Sequence, residues 1–324
     1  MYDFSKGEET EIISFCSEHE DAKACLHPLS LSVERCSANA PVLNAIRSTL
    51  RRCINISDLS ISRMNISGDA RVRPLLNVLS YRFQSSSSSG QGKGLTYLQL
   101  VECRLTDNDA RLLVNSVTCK DSEGFYSSPL VMLNLQGNRI GNRGAEAISL
   151  LLERGSSLTE LDLSANRIGD EGAVALGDAL TRNSSLKIIN LSENRINQEG
   201  AKAFATALKK DANHTLEALF LGGNRIGSSG TKSLCKALID NFTLKTLDIS
   251  SNGIGDVGAA CVTNLVQQNV TLDEINLEGN GIGICYCKGC VLKRVKKEHY
   301  IFGMRKSEEV EMSQIDSNEE NNHY

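Results

Sequence analysis

The feature that most constrains this chain is a unit of about 28 residues that recurs along it. Corresponding asparagines Asn138, Asn166, Asn194, Asn224, Asn252 and Asn280 are separated by 28, 28, 30, 28 and 28 residues. The blocks that contain them, such as LTELDLSANRIGDEGAVALGDAL and LKIINLSENRINQEGAKAFATAL, align residue for residue. A fixed period of this kind predicts a solenoid, because no unit can bury its apolar face alone and neighbouring units must stack.

Three weaker copies extend the pattern toward the amino terminus. Cys103 lies 35 residues before Asn138, Met64 lies 39 before Cys103, and Cys36 lies 28 before Met64. The surplus residues of the two long gaps fall in a flexible Ser/Gly insertion at 84–94 and a second insertion at 119–129. The sequence therefore predicts about nine units.

Each unit divides into a strand and a helix. The pattern L-x-x-L-x-L alternates with a period of two, which predicts a short strand with Leu161 and Leu163 turned inward. The asparagine that follows is expected to bond the backbone of its own turn and of the neighbouring coil, so that the stacked asparagines form a ladder. After a turn at Gly169 and Gly172, one helix face carries the apolar residues Ala173, Leu176 and Leu180.

The pattern LxxLxLxxNxIGxxGA resembles the ribonuclease-inhibitor subfamily of leucine-rich repeats. That subfamily includes ribonuclease inhibitor, the Ran GTPase-activating protein and the C-terminal repeats of NOD-like receptors. The resemblance implies an α/β solenoid shaped as a horseshoe, with parallel strands on the concave face and helices on the convex face. It covers 28–290, so we expect 1–27 to be a cap or flexible segment, 291–306 a basic C-terminal cap, and 307–324 a disordered acidic tail.

The resemblance also places the x positions of each strand, and the residue before the asparagine, on the concave face. The acids there are Glu34, Asp58, Glu102, Glu160, Asp162, Glu193, Asp248, Glu274 and Glu278, opposed by Arg35 and Arg63. Nine acids and two bases give −7, against −4 for the whole chain. Partner contacts are predicted for Asp58, Tyr97, Glu102, Glu160, Asp162, Glu193, Phe220, Asp248, Glu274 and Glu278, with the two aromatic residues as anchors.

The resulting hypothesis is a non-enzymatic interaction scaffold or signalling regulator that captures a protein with a basic patch. The acidic bias is open to a second interpretation, which is that exposed positions must be polar for solubility. Two functional alternatives stay open: a GTPase activator similar to the Ran GTPase-activating protein, with Arg63 and Arg104 as the nearest candidate arginines, and an inhibitor similar to ribonuclease inhibitor. A small GTPase is then a further possible partner.

A second column follows the asparagines. It holds Arg139, Arg167, Arg195 and Arg225, and it ends in glycine at Gly253 and Gly281. Such a row of arginines suits phosphate or carboxylate groups. The interpretation favoured by the sequence is that it belongs to the repeat consensus, with the arginines paired to nearby acids such as Asp170 and Glu199.

Sites for chemistry are weak. The Gly92-Lys93-Gly94 segment fails the phosphate-loop pattern, because Gly94 and Ser87 stand where that pattern needs Ser or Thr and Gly. Cys285, Cys287 and Cys290 resemble a zinc cluster, but the sequence shows no evident fourth ligand, and no spacing pattern supports His299 in that role. Repeat alignment instead makes cysteines such as Cys261 packing residues, so we expect neither metal nor cofactor, and no catalytic site.

Composition narrows the partner class. The net charge of −4 argues against a general nucleic-acid binder, and no apolar run is long enough for a membrane span. Without a secretory signal, the 11 cysteines are expected to be reduced and N-x-S/T motifs such as Asn241-Phe242-Thr243 to carry no glycan. We expect a cytoplasmic monomer, with nuclear entry through the basic run 293–297 as a further possibility.

Overall fold

Strands and helices alternate along the part of the chain that the computed structural model describes, residues 2–3, 29–36, 38–53, 56–89, 95–120, 126–153 and 157–283. In these ranges the helices are α1 (Ala40–Arg52), α2 (Asp69–Ser89), α3 (Asp107–Val117), α4 (Asn142–Glu153), α5 (Asp170–Arg182), α6 (Gln198–Ala207), α7 (Gly227–Leu238) and α8 (Gly255–Gln268). None of these helices combines the length and the apolar character that crossing a bilayer requires.

One sheet of ten strands runs through the described units, and every neighbouring pair in it is parallel. Its strands, in spatial order, are β1 (Tyr2–Asp3), β2 (Leu29–Glu34), β3 (Ile56–Ser62), β4 (Tyr97–Val101), β7 (Met132–Asn134), β8 (Glu160–Asp162), β9 (Ile188–Asn190), β10 (Ala218–Phe220), β11 (Thr246–Asp248) and β12 (Glu274–Asn276). Nine of them, β2 to β4 and β7 to β12, are the strands of the nine predicted units, whereas β1 was not predicted.

Residues at equivalent positions of neighbouring repeat units pair with each other in the sheet. Leu161 pairs with Leu133 on one side and Ile189 on the other, and Leu247 pairs with Leu219 and Ile275. Leu161 and Leu163 are fully buried, as are Ala173, Leu176 and Leu180 on the facing side of α5. The predicted α/β solenoid, with a parallel sheet on one side and helices on the other, is therefore confirmed.

The asparagine ladder is also confirmed. Asn194 donates from Nδ2 to the carbonyl of Leu191 in its own unit (3.0 Å) and to that of Leu163 in the preceding unit (2.9 Å). Its Oδ1 accepts the backbone N–H of Ile168 at 3.0 Å. Equivalent bonds are made at Asn138, Asn166, Asn224, Asn252 and Asn280. Each side chain thus satisfies buried backbone groups on both sides of a unit boundary.

A second asparagine ladder, which the sequence analysis missed, lies where each helix returns to the next strand. Asn241 donates from Nδ2 to the Leu208 carbonyl of the preceding unit (2.9 Å) and accepts from the N–H groups of Thr243 (3.0 Å) and Leu244 (2.8 Å). Corresponding bonds are made by Asn183, Asn213 and Asn269. The buried amide of Asn241 is therefore a structural cap, which explains why an N-x-S/T motif recurs there.

Glycine sets how closely consecutive helices approach. A Cβ at Gly172 would lie 2.9 Å from both the Ala145 Cβ and the Ile168 Cγ2, and a Cβ at Gly200 would lie 2.8 Å from the Ala173 Cβ. The glycine predicted as a turn residue at Gly172 is thus a packing residue inside α5. Small side chains on facing helices are what allow the short stacking distance between units.

The weak N-terminal units fold like the others but replace the asparagine differently. Cys103 donates from Sγ to the carbonyls of Ile61 (3.3 Å) and Val101 (3.4 Å), and burial raises the pKa of its thiol to about 12. Met64 is fully buried. In these units an apolar or weakly polar side chain fills the ladder position, so the strand register persists without the amide.

The two insertions take different forms. Helix α2 continues to Ser89, so it enters the segment predicted as a flexible Ser/Gly insertion, and 90–94 lies outside the described residues. The second insertion contributes strands β5 (Cys119–Lys120) and β6 (Tyr126–Ser127), which form an antiparallel ribbon. Of the predicted segment 1–27 the structure describes residues 2–3, and the predicted segments 291–306 and 307–324 lie outside the described residues. The division into these segments stays a prediction.

Candidate protein-interaction surface

The surface opposite the helices is built from four columns of side chains that cross the sheet. The first column consists of residues that pair in register on neighbouring strands, such as Met132, Glu160 and Ile188. Asn134, Asp162 and Asn190 belong in the same way to the second column. The third column includes Glu34 and Glu278, two positions further along each unit. The fourth column is the residue directly before the asparagine or its replacement, and its backbone is left-handed in all nine units. Its members are Arg35, Arg63, Glu102, Gly137, Ala165, Glu193, Gly223, Ser251 and Gly279. We call these four columns the concave face.

The fourth column shows how neighbouring units adapt to each other. A Cβ at Gly137 would lie 2.7 Å from the Glu102 Cγ, and one at Gly223 would lie 3.2 Å from the Glu193 Cγ. A glutamate in one unit therefore lies over a glycine in the next. The left-handed backbone favours that glycine as well.

At the N-terminal end of the concave face, acids and bases neutralise each other. Arg63 bonds Glu34 through Nη1 (3.0 Å) and Glu102 through Nε (3.2 Å), and Arg35 lies 3.3 Å from Glu34. Asp58 is half-buried and accepts the hydroxyls of Ser30 (3.0 Å) and Ser57 (2.9 Å). Around Arg63 the predicted negative charge is therefore neutralised, because the acids Glu34 and Glu102 are matched by the bases Arg35 and Arg63.

Asp162 departs from the prediction of an exposed acid. It is 3% exposed and accepts the N–H (2.8 Å) and hydroxyl (2.6 Å) of Ser164 together with the amide of Asn190 (3.3 Å). Desolvation raises the pKa of its carboxyl above the ordinary value, against the effect of these hydrogen bonds. Neighbouring units cover this side chain, so it belongs to the turn that ends the strand and is wrong as an exposed contact residue.

The same turn recurs in the second column. Asn134, Asn190, Asp248 and Asn276 each accept the N–H two residues on, at 2.8–3.1 Å. An Asp or Asn at this position is thus selected for turn geometry, whether or not it binds a partner. Asp248 differs from Asp162 in remaining partly exposed.

The remaining acids define what we call the acidic patch: Glu160, Glu193, Asp248, Glu274 and Glu278, on the units of β8 to β12. Glu193 and Glu278 are exposed, and the other three are partly exposed. The four columns contain no lysine or arginine from Tyr97 onward in the described units. The negative character predicted for the whole face is therefore concentrated in its C-terminal half.

The two aromatic residues do not form one cluster. Tyr97 is 39% exposed on β4, while Phe220 is partly buried on β10. Three strands, β7, β8 and β9, lie between theirs in the sheet. Only Phe220 lies within the acidic patch, so Tyr97 would belong to a separate part of any contact.

The edge of the sheet where the strands begin is balanced in charge. Glu217 lies between Lys187 (3.6 Å) and Lys245 (2.7 Å), which lowers the pKa of its carboxyl through the hydrogen bond to Lys245. The same contact raises the pKa of Lys245, and the negative charge of Asp273 adds to this effect. Because opposite charges alternate along this edge, the acidic patch is bounded there by a near-neutral rim.

The predicted arginine pairs at the opposite edge are wrong. Asp170 accepts the N–H groups of Asn197 (2.8 Å) and Gly200 (2.9 Å) in the next unit, and Glu199 lies 3.6 Å from Lys202. Asp107 and Asp256 likewise accept backbone N–H groups of the next unit, from Gly141 (2.5 Å) and Gly283 (2.8 Å). Acids at the start of these helices therefore join units together rather than neutralise arginines.

The described residues contain no cluster of three or more His, Cys, Asp or Glu side chains able to hold a metal ion. Cys285, Cys287, Cys290 and His299 lie outside the described residues, as do Gly92, Lys93 and Gly94. Of the two arginines considered for GTPase activation, Arg63 is held by two glutamates, whereas Arg104 is exposed with a left-handed φ of 60°.

Comparisons with known proteins give one family match and a set of similar solved structures. A leucine-rich repeat model matches residues 126–149, 156–177, 182–205, 212–235 and 240–262. No curated protein sequence matches the chain. Solved structures similar to it include leiomodin-1 actin-binding site 2, at 29% identity over 36% of this chain and 69% of that one with a TM-score of 0.34. Another is an internalin from Listeria monocytogenes, at 19% identity over 74% of this chain and 65% of that one with a TM-score of 0.42.

The matched segments cover five of the six units that carry the regular asparagine ladder, and the unit of Asn280 lies beyond them. Their strands form one parallel sheet in register, and their helices stack on its other side. The described part of the chain therefore has the fold of a leucine-rich-repeat solenoid.

Proposed function

We propose that this solenoid is a non-enzymatic interaction scaffold or regulator whose acidic patch binds a protein with a basic surface. Leucine-rich repeats are protein-interaction modules, which supports the general class. The observation that carries the finer proposal is that, between β8 and β12, the four columns hold five acids at exposed or partly exposed positions and no base. A rigid surface of one sign speeds encounter with a partner of the other sign and disfavours partners of like sign.

Local geometry favours recognition by the acidic patch over a purely solubilising role. Glu193 has a left-handed backbone, and its Cγ lies over Gly223 of the next unit while the side chain as a whole is exposed. Phe220 lies in the adjacent unit, at the second column. An aromatic side chain among acids is typical of a contact that combines an apolar anchor with charge.

The proposal includes a cytoplasmic protein, also able to enter the nucleus, that acts as a monomer on protein partners and uses no cofactor. It favours neither nucleic acid nor a membrane as a partner. The GTPase-activator alternative is weakened at Arg63, whose guanidinium already bonds two carboxylates. Hydrolysis of GTP by Ran, measured with and without the purified chain, decides that alternative: accelerated hydrolysis would replace the present proposal.

Affinity capture with mass spectrometry tests the proposal. The acidic-patch variant carries Glu160→Gln, Glu193→Gln and Asp248→Asn, which remove charge and keep shape. A matched variant carries Glu146→Gln, Asp178→Asn and Asp240→Asn, which neutralise three exposed acids on the helix side. We expect the matched variant to retain a basic protein that the acidic-patch variant loses. Loss from neither variant, or from both equally, would contradict the proposal.

A further inference from the structure

A row of exposed arginines follows the asparagine ladder along the loops that lead from strand to helix. The described structure adds Arg104 to the four arginines that the repeat pattern identified, so five consecutive units contribute one each. We call this row the arginine ladder; it comprises Arg104, Arg139, Arg167, Arg195 and Arg225, all of which are exposed. In the next unit Gly253 takes the same place, so the row has a defined end.

The backbone fixes the spacing of the arginine ladder. The N–H of Arg167 donates to the Ile140 carbonyl, and the N–H of Arg195 donates to that of Ile168, both at 2.8 Å. Arg139 and Arg225 make the same bond at 2.8 Å to Leu105 and Ile196. At a spacing of about 4.8 Å between neighbouring strands, the four steps of the ladder span about 19 Å.

The charge of the arginine ladder has no role in holding the fold. Within the described residues, Arg104, Arg139, Arg167, Arg195 and Arg225 form no ion pair and no side-chain hydrogen bond. The acids that could have neutralised them are bonded elsewhere: Asp170 to backbone N–H groups and Glu199 to Lys202. Like charges on neighbouring units repel each other, so the ladder costs the solenoid stability unless a ligand occupies it.

We propose that the arginine ladder binds an extended acidic segment of a partner protein, running across the units. Guanidinium groups form bidentate contacts with carboxylates. An extended chain advances about 3.3 Å per residue, so about six residues rich in Asp and Glu match the ladder. The inference concerns a different surface from the acidic patch and stands independently of the proposed function.

A short acidic segment fits the ladder better than a nucleic acid does. Glu193 lies two residues before Arg195, and Glu160 belongs to the same unit as Arg167. A polyanion longer than the ladder would continue past Gly253, beside units that carry Asp248, Glu274 and Glu278 but no arginine at the ladder position, and these acids would repel it at distances that salt screens only in part. A peptide of about six residues ends where the ladder ends, so it avoids this additional repulsion.

The test is a fluorescence-anisotropy titration of the full chain with a labelled octaglutamate peptide and, separately, with a labelled single-stranded oligonucleotide. The ladder variant carries Arg139→Gln, Arg167→Gln, Arg195→Gln and Arg225→Gln. A matched variant carries Lys209→Gln, Lys210→Gln, Lys232→Gln and Lys236→Gln, which remove four exposed charges from the helix side. A third variant replaces the same four arginines by lysine. Thermal unfolding of each variant confirms that it is folded.

We expect the ladder variant to bind octaglutamate at least about tenfold more weakly, because each exposed ion pair is worth up to about a fivefold change in affinity. The lysine variant should recover part of that loss, and the matched variant should bind as the unchanged chain does. Equal binding by the ladder and matched variants would overturn the proposal. Tighter binding of the oligonucleotide than of octaglutamate would overturn it in favour of a nucleic-acid ligand. The acidic-patch variant should bind octaglutamate at least as tightly as the unchanged chain, because it loses acids that repel the peptide, so the two proposals fail separately.

Discussion

The asparagine ladder gives the sharpest stability prediction, at Asn194. In Asn194→Ala the N–H of Ile168, which now donates to Oδ1 at 3.0 Å, loses its partner in a buried site. The three carbonyls that accept from Nδ2 are less affected. The Leu163 carbonyl keeps a bond from Asn166 (3.1 Å), and the Leu191 carbonyl keeps one from Asn224 (2.9 Å). The Ser192 carbonyl keeps the N–H of Ala165 (2.8 Å).

The cost follows from that count. One orphaned buried N–H costs about 2 kcal/mol, and three lost bonds to carbonyls that keep another donor add roughly 0.5 kcal/mol each. We therefore expect Asn194→Ala to lower the free energy of unfolding by about 3–4 kcal/mol. Asn115→Ala, the same change at an exposed position on α3, should cost at most about 0.5 kcal/mol.

Urea denaturation followed by circular dichroism measures both variants, and amide hydrogen exchange reports on Ile168 directly. We expect faster exchange at Ile168 in Asn194→Ala and no change there in Asn115→Ala. A loss below about 1 kcal/mol, or an unchanged exchange rate at Ile168, would show that the ladder does not stabilise the solenoid in this way.

Three further predictions concern single positions. Gly200→Ala should destabilise the chain by about 1–3 kcal/mol although alanine favours helices, because its Cβ would lie 2.6 Å from the Ile196 Cγ2. Thermal unfolding checks this, with Ser229→Ala on α7 as the control. Equal stability of the two variants would contradict the packing argument. Asp162→Asn should leave stability at neutral pH equal or higher, because burial raises the pKa of this carboxyl. The folded state then binds the proton more tightly than the unfolded chain does, so the free energy of unfolding of the unchanged chain falls as pH rises from 3.8 through the raised pKa. Urea titrations across this range should show the stability of Asp162→Asn rising relative to that of the unchanged chain. A difference in stability that does not change with pH would refute the raised pKa. Lys245→Met should leave the midpoint of thermal unfolding almost unchanged, because the ion pair with Glu217 is exposed and contributes little to stability. A clear drop in that midpoint would mean that the rim is structural.

The sequence predicted those features that repeat at one position per unit. A single period places Leu161, Asn166 and Leu176 at equivalent points of every unit, so their burial follows from stacking alone. The second asparagine ladder carried the same signal, because Asn183, Asn213, Asn241 and Asn269 are 30, 28 and 28 residues apart. The signal is easily overlooked, because each of these asparagines begins an N-x-S/T motif, which is also the acceptor pattern for N-glycosylation.

Contacts between side chains of different units could not be predicted in the same way. The burial of Asp162 depends on Ser164 and Asn190, and the neutralisation of Glu34 and Glu102 depends on one arginine placed between them. These contacts need the rotamers of adjacent units as well as their register. A net charge counted from column positions therefore overstated the acidity of the N-terminal half.

The account depends most on the acidic patch being a binding surface, and one titration tests that directly. A labelled octalysine peptide is titrated into the unchanged chain, the acidic-patch variant and the matched helix-side variant, with salt held constant. We predict that the acidic-patch variant binds about tenfold more weakly while the matched variant is unchanged. The same affinity for all three proteins would contradict the account.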